Sequence, residues 1–117
     1  VDERLIPTGR RLPVAGSPYD FQASRPIGDT VFDLCFTDFL EPSVEFDGIR
    51  LSWDGNLNFL QVYSGDSLAP ERRRHGLALE PMSCPANAFN SGEGLVVLAP
   101  GGYWRGSWSL GTIHQGA

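Results

Sequence analysis

Glycine and proline leave this chain almost nowhere to run a helix. Fourteen glycines and nine prolines are spread through 117 residues. No window of a dozen residues keeps a helical apolar stripe clear of them. What remains alternates with period two. Across Val44–Trp53, apolar side chains stand at 44 and 46 and again at 49, 51 and 53, with Asp47-Gly48 dividing the two runs. That dipeptide is a strong hairpin signal, because both central residues of the tight turn need positive φ. Further strands are predicted at Leu57–Tyr63, Leu77–Glu80, Leu95–Leu98 and Tyr103–Leu110, and Asp29–Phe36 reads as another. In Asp29–Phe36, Phe32, Leu34 and Phe36 share one face and Val31, Asp33 and Cys35 the other. In Tyr103–Leu110, Trp104, Trp108 and Leu110 oppose Arg105, Ser107 and Ser109. Short strands joined by turns predict an all-β, antiparallel sheet or sandwich, and this length suits one domain.

Composition narrows the function classes. Apolar residues make up 41% and charged residues 20%, an ordinary globular balance. No apolar run approaches the roughly 18 residues of a membrane-spanning helix, so no membrane partner is expected. The sequence opens Val1-Asp2-Glu3-Arg4, so a secretory leader is expected to be absent or already removed. The net charge is −5, and all nine cations are arginines. Arg72-Arg73-Arg74 is a lone basic run, expected to be a solvated loop. An acidic chain of this kind is a poor nucleic-acid binder, since phosphate contacts need a distributed basic surface. Cys35 and Cys84 form neither a disulfide framework nor a metal-ligand spacing. They are expected to be small buried hydrophobes in a reducing, cytoplasmic compartment.

Few residues are candidates for chemistry. Glu80 ends the run Gly76-Leu77-Ala78-Leu79-Glu80, where alternation sends Leu77 and Leu79 to one side and Ala78 and Glu80 to the other. It reads either as an exposed strand-end carboxylate or as a pocket base. Asp33 lies across its strand from three apolar residues. Gln61 shares a face with Leu57, Phe59 and Tyr63, and an amide there must find partners in backbone or ligand. His75 and His114 have no carboxylate at metal-ligand spacing, no Ser-His-Asp arrangement is visible, and neither a metal site nor a phosphate-cradling glycine loop is expected.

Several segments together resemble the C-terminal part of the aldose 1-epimerase (galactose mutarotase) family. Val1–Gly9 resembles a strand closing on Ile-Pro-Thr-Gly, and Gly16-Ser17-Pro18-Tyr19-Asp20-Phe21 is similar to the Gly-Thr-Pro-x-Asp-Phe stretch that follows it. Phe32-Asp33-Leu34-Cys35-Phe36 resembles an aromatic-Asp-His-x-Phe motif, and Leu60–Gly65 a Gln-x-Tyr-Thr-Gly motif. Leu79–Asn90 is similar to Leu-Glu-x-x-x-x-Pro-Asp-Ala-x-Asn, and Leu98–Tyr103 to Leu-x-Pro-Gly-Glu-x-Tyr. Each motif alone is weak, but they follow the family's order along nearly the whole chain. Leu34 departs from the histidine of many members, and Pro81-Met82 replaces a more polar pair.

The resemblance implies a cofactor-free reaction at the anomeric carbon of a hexose. In the family a glutamate takes the proton from the anomeric hydroxyl while a histidine protonates the ring oxygen. The ring opens, the first C–C bond rotates, and reclosure inverts the anomer. Glu80 falls on the base, and Asp33 and Gln61 on positions that bind sugar hydroxyls. A glutamate carboxylate, ionised at neutral pH, can accept such a proton. Neither His75 nor His114 falls on the acid, which lies in the family's N-terminal half. Residues 1–117 are therefore expected to be the C-terminal portion of one large β-sandwich, incomplete alone and partnered by that N-terminal half. The alternatives are a non-catalytic carbohydrate-binding module, with Glu80, Asp33 and Gln61 as contacts only, and a hexose-6-phosphate 1-epimerase using Arg72–Arg74.

Overall fold

A computed structural model of the chain describes residues 1–114. Two three-stranded antiparallel sheets carry the architecture. The first has the order β1 (Asp33–Thr37), β4 (Phe59–Tyr63), β5 (Ala78–Met82). The second has the order β2 (Ser43–Phe46), β3 (Ile49–Trp53), β6 (Trp108–Thr112). The helical content among the described residues is one short 3₁₀ turn, Pro70–Arg72, and one four-residue helix, α1 (Ala88–Ser91).

The Asp47-Gly48 turn forms as its sequence predicts. Asp47 has φ of 50° and Gly48 of 80°, and β2 and β3 pair directly across it, Phe46 opposite Ile49 and Val44 opposite Leu51. The primed turn matches the natural twist of the two strands.

Inner faces of both sheets meet in one apolar cluster. Leu60 and Val62 of β4 and Leu51 and Trp53 of β3 are buried there with Phe32 and Leu57. Leu34, Phe36, Val44 and Leu79 pack against them, as do Tyr19, Phe21 and Ile27 from the irregular segment before β1. Tyr19, Phe21 and Phe36 place their rings 5.5–6.3 Å from the Phe32 ring, tilted as aromatic quadrupoles prefer. Arg25 holds that segment in place. Its guanidinium stacks 3.7 Å over Phe21 and donates to the carbonyls of Pro18 and Asp20.

Several boundaries differ from the sequence expectation, among them that β4 starts at Phe59 rather than Leu57 and β5 at Ala78 rather than Leu77. Leu95–Leu98 is not a strand: it pairs with no strand among the described residues, and Val97 and Leu98 are exposed. Regular structure in Tyr103–Leu110 starts only at Trp108 and runs on to Thr112. Its partner β3 ends at Trp53, opposite Trp108, and Asp54 then grips Ser107 through its N–H at 2.8 Å and hydroxyl at 2.7 Å. β5 runs through Pro81 to Met82 instead of stopping at Glu80. It is an edge strand, where a proline's missing N–H need cost no ladder bond.

Asp29–Phe36 also shortens, its regular part starting at Asp33, but pairing continues outward by another device. The Ser64 N–H donates to the Phe32 carbonyl at 2.9 Å, and the buried Ser64 hydroxyl accepts the Phe32 N–H at 2.8 Å. That hydroxyl also bonds the Asp66 carboxylate.

Candidate functional site

Strand register decides which side chains converge. In the first sheet Gln61 stands opposite Cys35 on one side and Glu80 on the other, while Tyr63 stands between Asp33 and Ala78. Directly opposed residues of antiparallel strands point to the same face. Asp33, Cys35, Gln61, Tyr63 and Glu80 thus share the face turned away from the apolar cluster. The pattern is legible in the sequence as apolar residues at 34, 36, 60, 62, 77 and 79 alternating with these polar ones.

The structure brings Asp33 and Gln61 into direct contact: the Gln61 amide nitrogen donates to Asp33 Oδ1 at 3.1 Å. Both are half-buried. That bond orients the carboxylate and leaves the amide oxygen and second N–H of Gln61 without a partner among the described residues. Glu80 sits in mid-strand, not at a strand end, and its side chain is exposed. No hydrogen bond or ion pair engages its carboxylate among the described residues. Neighbouring strands lie roughly 4.8 Å apart, so the Asp33 and Glu80 backbones are on the order of 10–12 Å from each other, on either side of Gln61. They cannot share one proton as a carboxylate dyad does. The arrangement offers two separate acceptors flanking an amide that donates and accepts.

Two contacts at the ends of this face carry no sequence signal of their own. Tyr63 and Ser67 share a 2.6 Å hydroxyl–hydroxyl bond at the Asp33 end. Arg11 bridges Asp38, at 3.1 Å, and Glu93 beyond the opposite end of β1. That contact joins residues 82 apart in sequence, which no local pattern could announce. Burial pushes the Cys35 thiol up, and Cys35 and Cys84 are both free and half-buried.

The arginine run is more engaged than a solvated loop. Arg74 donates to Asp66 at 2.8 Å and to the carbonyls of Gly28 and Thr30, and Arg73 to the carbonyl of Leu68. His75 and His114 are exposed. Two grooves lie away from the polar face, one beside Arg50, Ser52 and His114 and one beside Phe39, Pro42 and Leu57. The polar face is exposed at Glu80, while Phe59, which the register places on the same face, is buried. Among the described residues no three His, Cys, Asp or Glu side chains gather as a metal site, and no helix is long and apolar enough to cross a membrane.

Comparison with known proteins adds a family. The family model described as aldose 1-epimerase matches residues 1–111. A protein of Escherichia coli (strain K12), described as uncharacterized protein YihR, is 58% identical over 106 residues, covering 86% of this chain and 33% of that protein. The chain thus spans about one third of that relative's length. No solved structure matches it.

Proposed function

The chain belongs to the aldose 1-epimerase family, and from that premise we propose that it contributes the base and part of the sugar-binding surface of a hexose mutarotase. A sugar substrate and isomerase chemistry come with the family. The finer assignment rests on one observation: Asp33, Gln61 and Glu80 project from one sheet face in adjoining register, with Gln61 bonded to Asp33.

In this reading Asp33 accepts hydrogen bonds from ring hydroxyls, and the free groups of the Gln61 amide donate and accept beside it. Glu80 removes the proton from the anomeric hydroxyl as a separate acid delivers one to the ring oxygen. The C1–ring-oxygen bond breaks and C1 becomes an aldehyde. Rotation about C1–C2 and reclosure, with both protons returned, gives the other anomer. The chemistry needs no redox partner. The acid and the far wall of the cleft belong to an N-terminal segment of the same protein, so residues 1–117 form the C-terminal portion of the domain. The open shelf around Glu80 supports this, because a base without an opposing wall works in bulk water. Engagement of Arg73 and Arg74 with the protein's own carbonyls and Asp66 favours a neutral hexose over a sugar phosphate. Free Cys35 and Cys84 suit cytoplasmic residence.

Polarimetry on freshly dissolved α-glucose or α-galactose tests the proposal. The 117-residue chain alone should not exceed the buffer rate. A complex with the N-terminal segment should accelerate equilibration, and Glu80→Gln should remove roughly 10²–10⁴-fold of that acceleration. Full activity of the amide variant, with sugar affinity intact, overturns the role of Glu80 and leaves a binding module.

A further inference from the structure

Three register rows cross the polar face of the first sheet. Thr37, Phe59 and Met82 form one, Cys35, Gln61 and Glu80 the next, and Asp33, Tyr63 and Ala78 the third. Successive rows lie about 6.6 Å apart. The Phe59 end is filled. The Phe59 side chain is only 7% exposed, and the turn after α1 lies flat against it. Gly94 in that turn has φ of 64°, and a side chain there would come within 2.9 Å of the Ser83 carbonyl and 3.0 Å of the Phe59 ring. Only glycine lets the turn sit so low. Arg11 ties the same turn to the first strand, donating to Glu93 and, at 3.1 Å, to Asp38 just past the end of β1.

The other end is furnished differently. Tyr63 stands between Asp33 and Ala78, and Ala78 carries only a methyl group where the neighbouring row has Glu80. The Tyr63 phenol shares a 2.6 Å bond with the exposed Ser67 hydroxyl, and neither hydroxyl has a further hydrogen bond among the described residues. Such a pair keeps one O–H to donate and lone pairs to accept. An aromatic ring with a polar tip, set beside a small residue and a carboxylate, suits a ligand that has an apolar edge and several hydroxyls.

We propose that Tyr63 is a further substrate-binding residue. A single hexopyranose ring lies over the Gln61 and Tyr63 rows, its C–H edge against the Tyr63 ring and one ring hydroxyl on the Tyr63 phenol. The proposal rests on the reading of Asp33, Gln61 and Glu80 as a sugar site, and it follows from the blocked Phe59 end. A ring that reaches both Asp33 and Glu80 can extend only toward Tyr63 and Ala78. Ser67 is a positioning residue, acting through the Tyr63 hydroxyl. Ala78 sets the room in the seat, because a longer side chain there would occupy it.

The test uses the chain in complex with the N-terminal segment, titrated with glucose and galactose by calorimetry and assayed by polarimetry. Tyr63→Phe, which keeps the ring, should raise Kd and KM about 3–10-fold, the worth of one hydrogen bond. It should leave kcat within about twofold, because a contact made equally in ground and transition states moves KM alone. Ser67→Ala should raise KM less, and should add nothing in the Tyr63→Phe background, as two residues acting through one group must. Ala78→Leu should weaken sugar binding about tenfold or more, the scale on which a pocket registers added methylenes. Tyr103→Phe trims an exposed phenol outside both sheets and should change nothing. Parental Kd and KM in Tyr63→Phe overturn the proposal, whether or not Ala78→Leu folds, and so does parental Kd in a folded Ala78→Leu. Glu80→Gln keeps the two claims apart. Binding weakened by Tyr63→Phe in a protein that Glu80→Gln leaves fully active sinks the catalytic reading alone. Turnover lost on Glu80→Gln, with Tyr63→Phe at parental KM, sinks the Tyr63 seat alone.

Discussion

The two sheets are made from the same material, four- and five-residue antiparallel strands with alternating faces, yet they are finished differently. Behind the first sheet, Phe32 sits at the centre of a group of four aromatic rings. Ser64 extends the β1–β4 ladder past its formal end, and Arg74 ties the 64–74 loop back to Gly28 and Thr30. The second sheet has one packed strand, β3, between β6, whose residues are all exposed, and β2, where Val44 packs on the core but Phe46 stays exposed. The difference divides the labour. Under the proposed function Asp33 and Gln61 hold a substrate hydroxyl, which needs a backing that does not move, and the first sheet is backed by the packed cluster around Phe32. The second sheet keeps Phe46, Ile49, Trp108 and Leu110 exposed.

The sharpest way to break this comparison is to cut the packing behind each sheet in turn. Phe32→Ala should destabilise the chain by about 3–5 kcal/mol, the usual result of emptying an enclosed aromatic site. Trp108→Ala removes a larger side chain yet should change the stability of the isolated chain by less than about 0.5 kcal/mol, because the ring is largely in water already. Urea unfolding followed by far-ultraviolet circular dichroism measures both. Equal losses would mean that the second sheet is as complete as the first.

Much of this division is legible in the sequence, and the part that is not has a common cause. Alternation correctly sorts Leu34, Phe36, Leu60 and Val62 from Asp33, Cys35 and Gln61, and the Asp47-Gly48 turn sets the β2–β3 register. Alternation says what a strand would show on each face; it does not say whether a partner strand exists. Leu95–Leu98 has the pattern and no partner, so it stays irregular. Pro81 breaks the pattern, but β5 needs no donor on its outer edge, so the strand continues. The candidate site divides the same way. Residue type and face single out Asp33, Gln61 and Glu80, and the family resemblance assigns them roles. Their adjacency depends on β4 lying between β1 and β5, a long-range pairing that no local signal encodes. The ties made by Arg11 and Arg74 are likewise tertiary.

A finer cut compares the hydroxyl groups that close each sheet. Ser64 is buried, and its oxygen is the partner of the Phe32 N–H. Ser64→Ala leaves that buried donor unpaired and should cost about 1–3 kcal/mol. Ser107 plays the corresponding part for β6, where its hydroxyl and N–H both meet Asp54. It is exposed, the N–H contact survives truncation, and water replaces the lost hydroxyl bond. Ser107→Ala should therefore cost less than about 1 kcal/mol. The ratio of the two losses, read from the same urea curves, measures how much more tightly the first sheet is closed.

The smallest effect expected is in acid, and it again separates the sheets. The Ser64 hydroxyl, then the Arg74 guanidinium, hold the Asp66 carboxyl below the usual carboxylate range. The Ser107 hydroxyl, then the Asn56 N–H, do the same for Asp54. A carboxyl whose affinity for protons is lower in the folded chain stabilises the fold above the ordinary carboxylate range. It gives that stability up as the pH falls through its folded value. Asp66→Asn and Asp54→Asn should thus lower the melting temperature near neutrality, and each variant should converge on the parent as the solution is acidified. Asp2 and Asp20 are also held low, but they titrate alike in parent and variants and drop out of the difference. Asp66 joins the 64–74 loop, through Arg74, to the segment before β1, whereas Asp54 ties the end of β3 and the turn after it to the start of β6. The gap at neutrality should therefore be wider for Asp66→Asn. A wider gap for Asp54→Asn would place the tighter closure at the second sheet and reverse the assignment of which sheet is rigid, and a gap for either that persists in acid would show that its loss does not come from the lowered carboxyl.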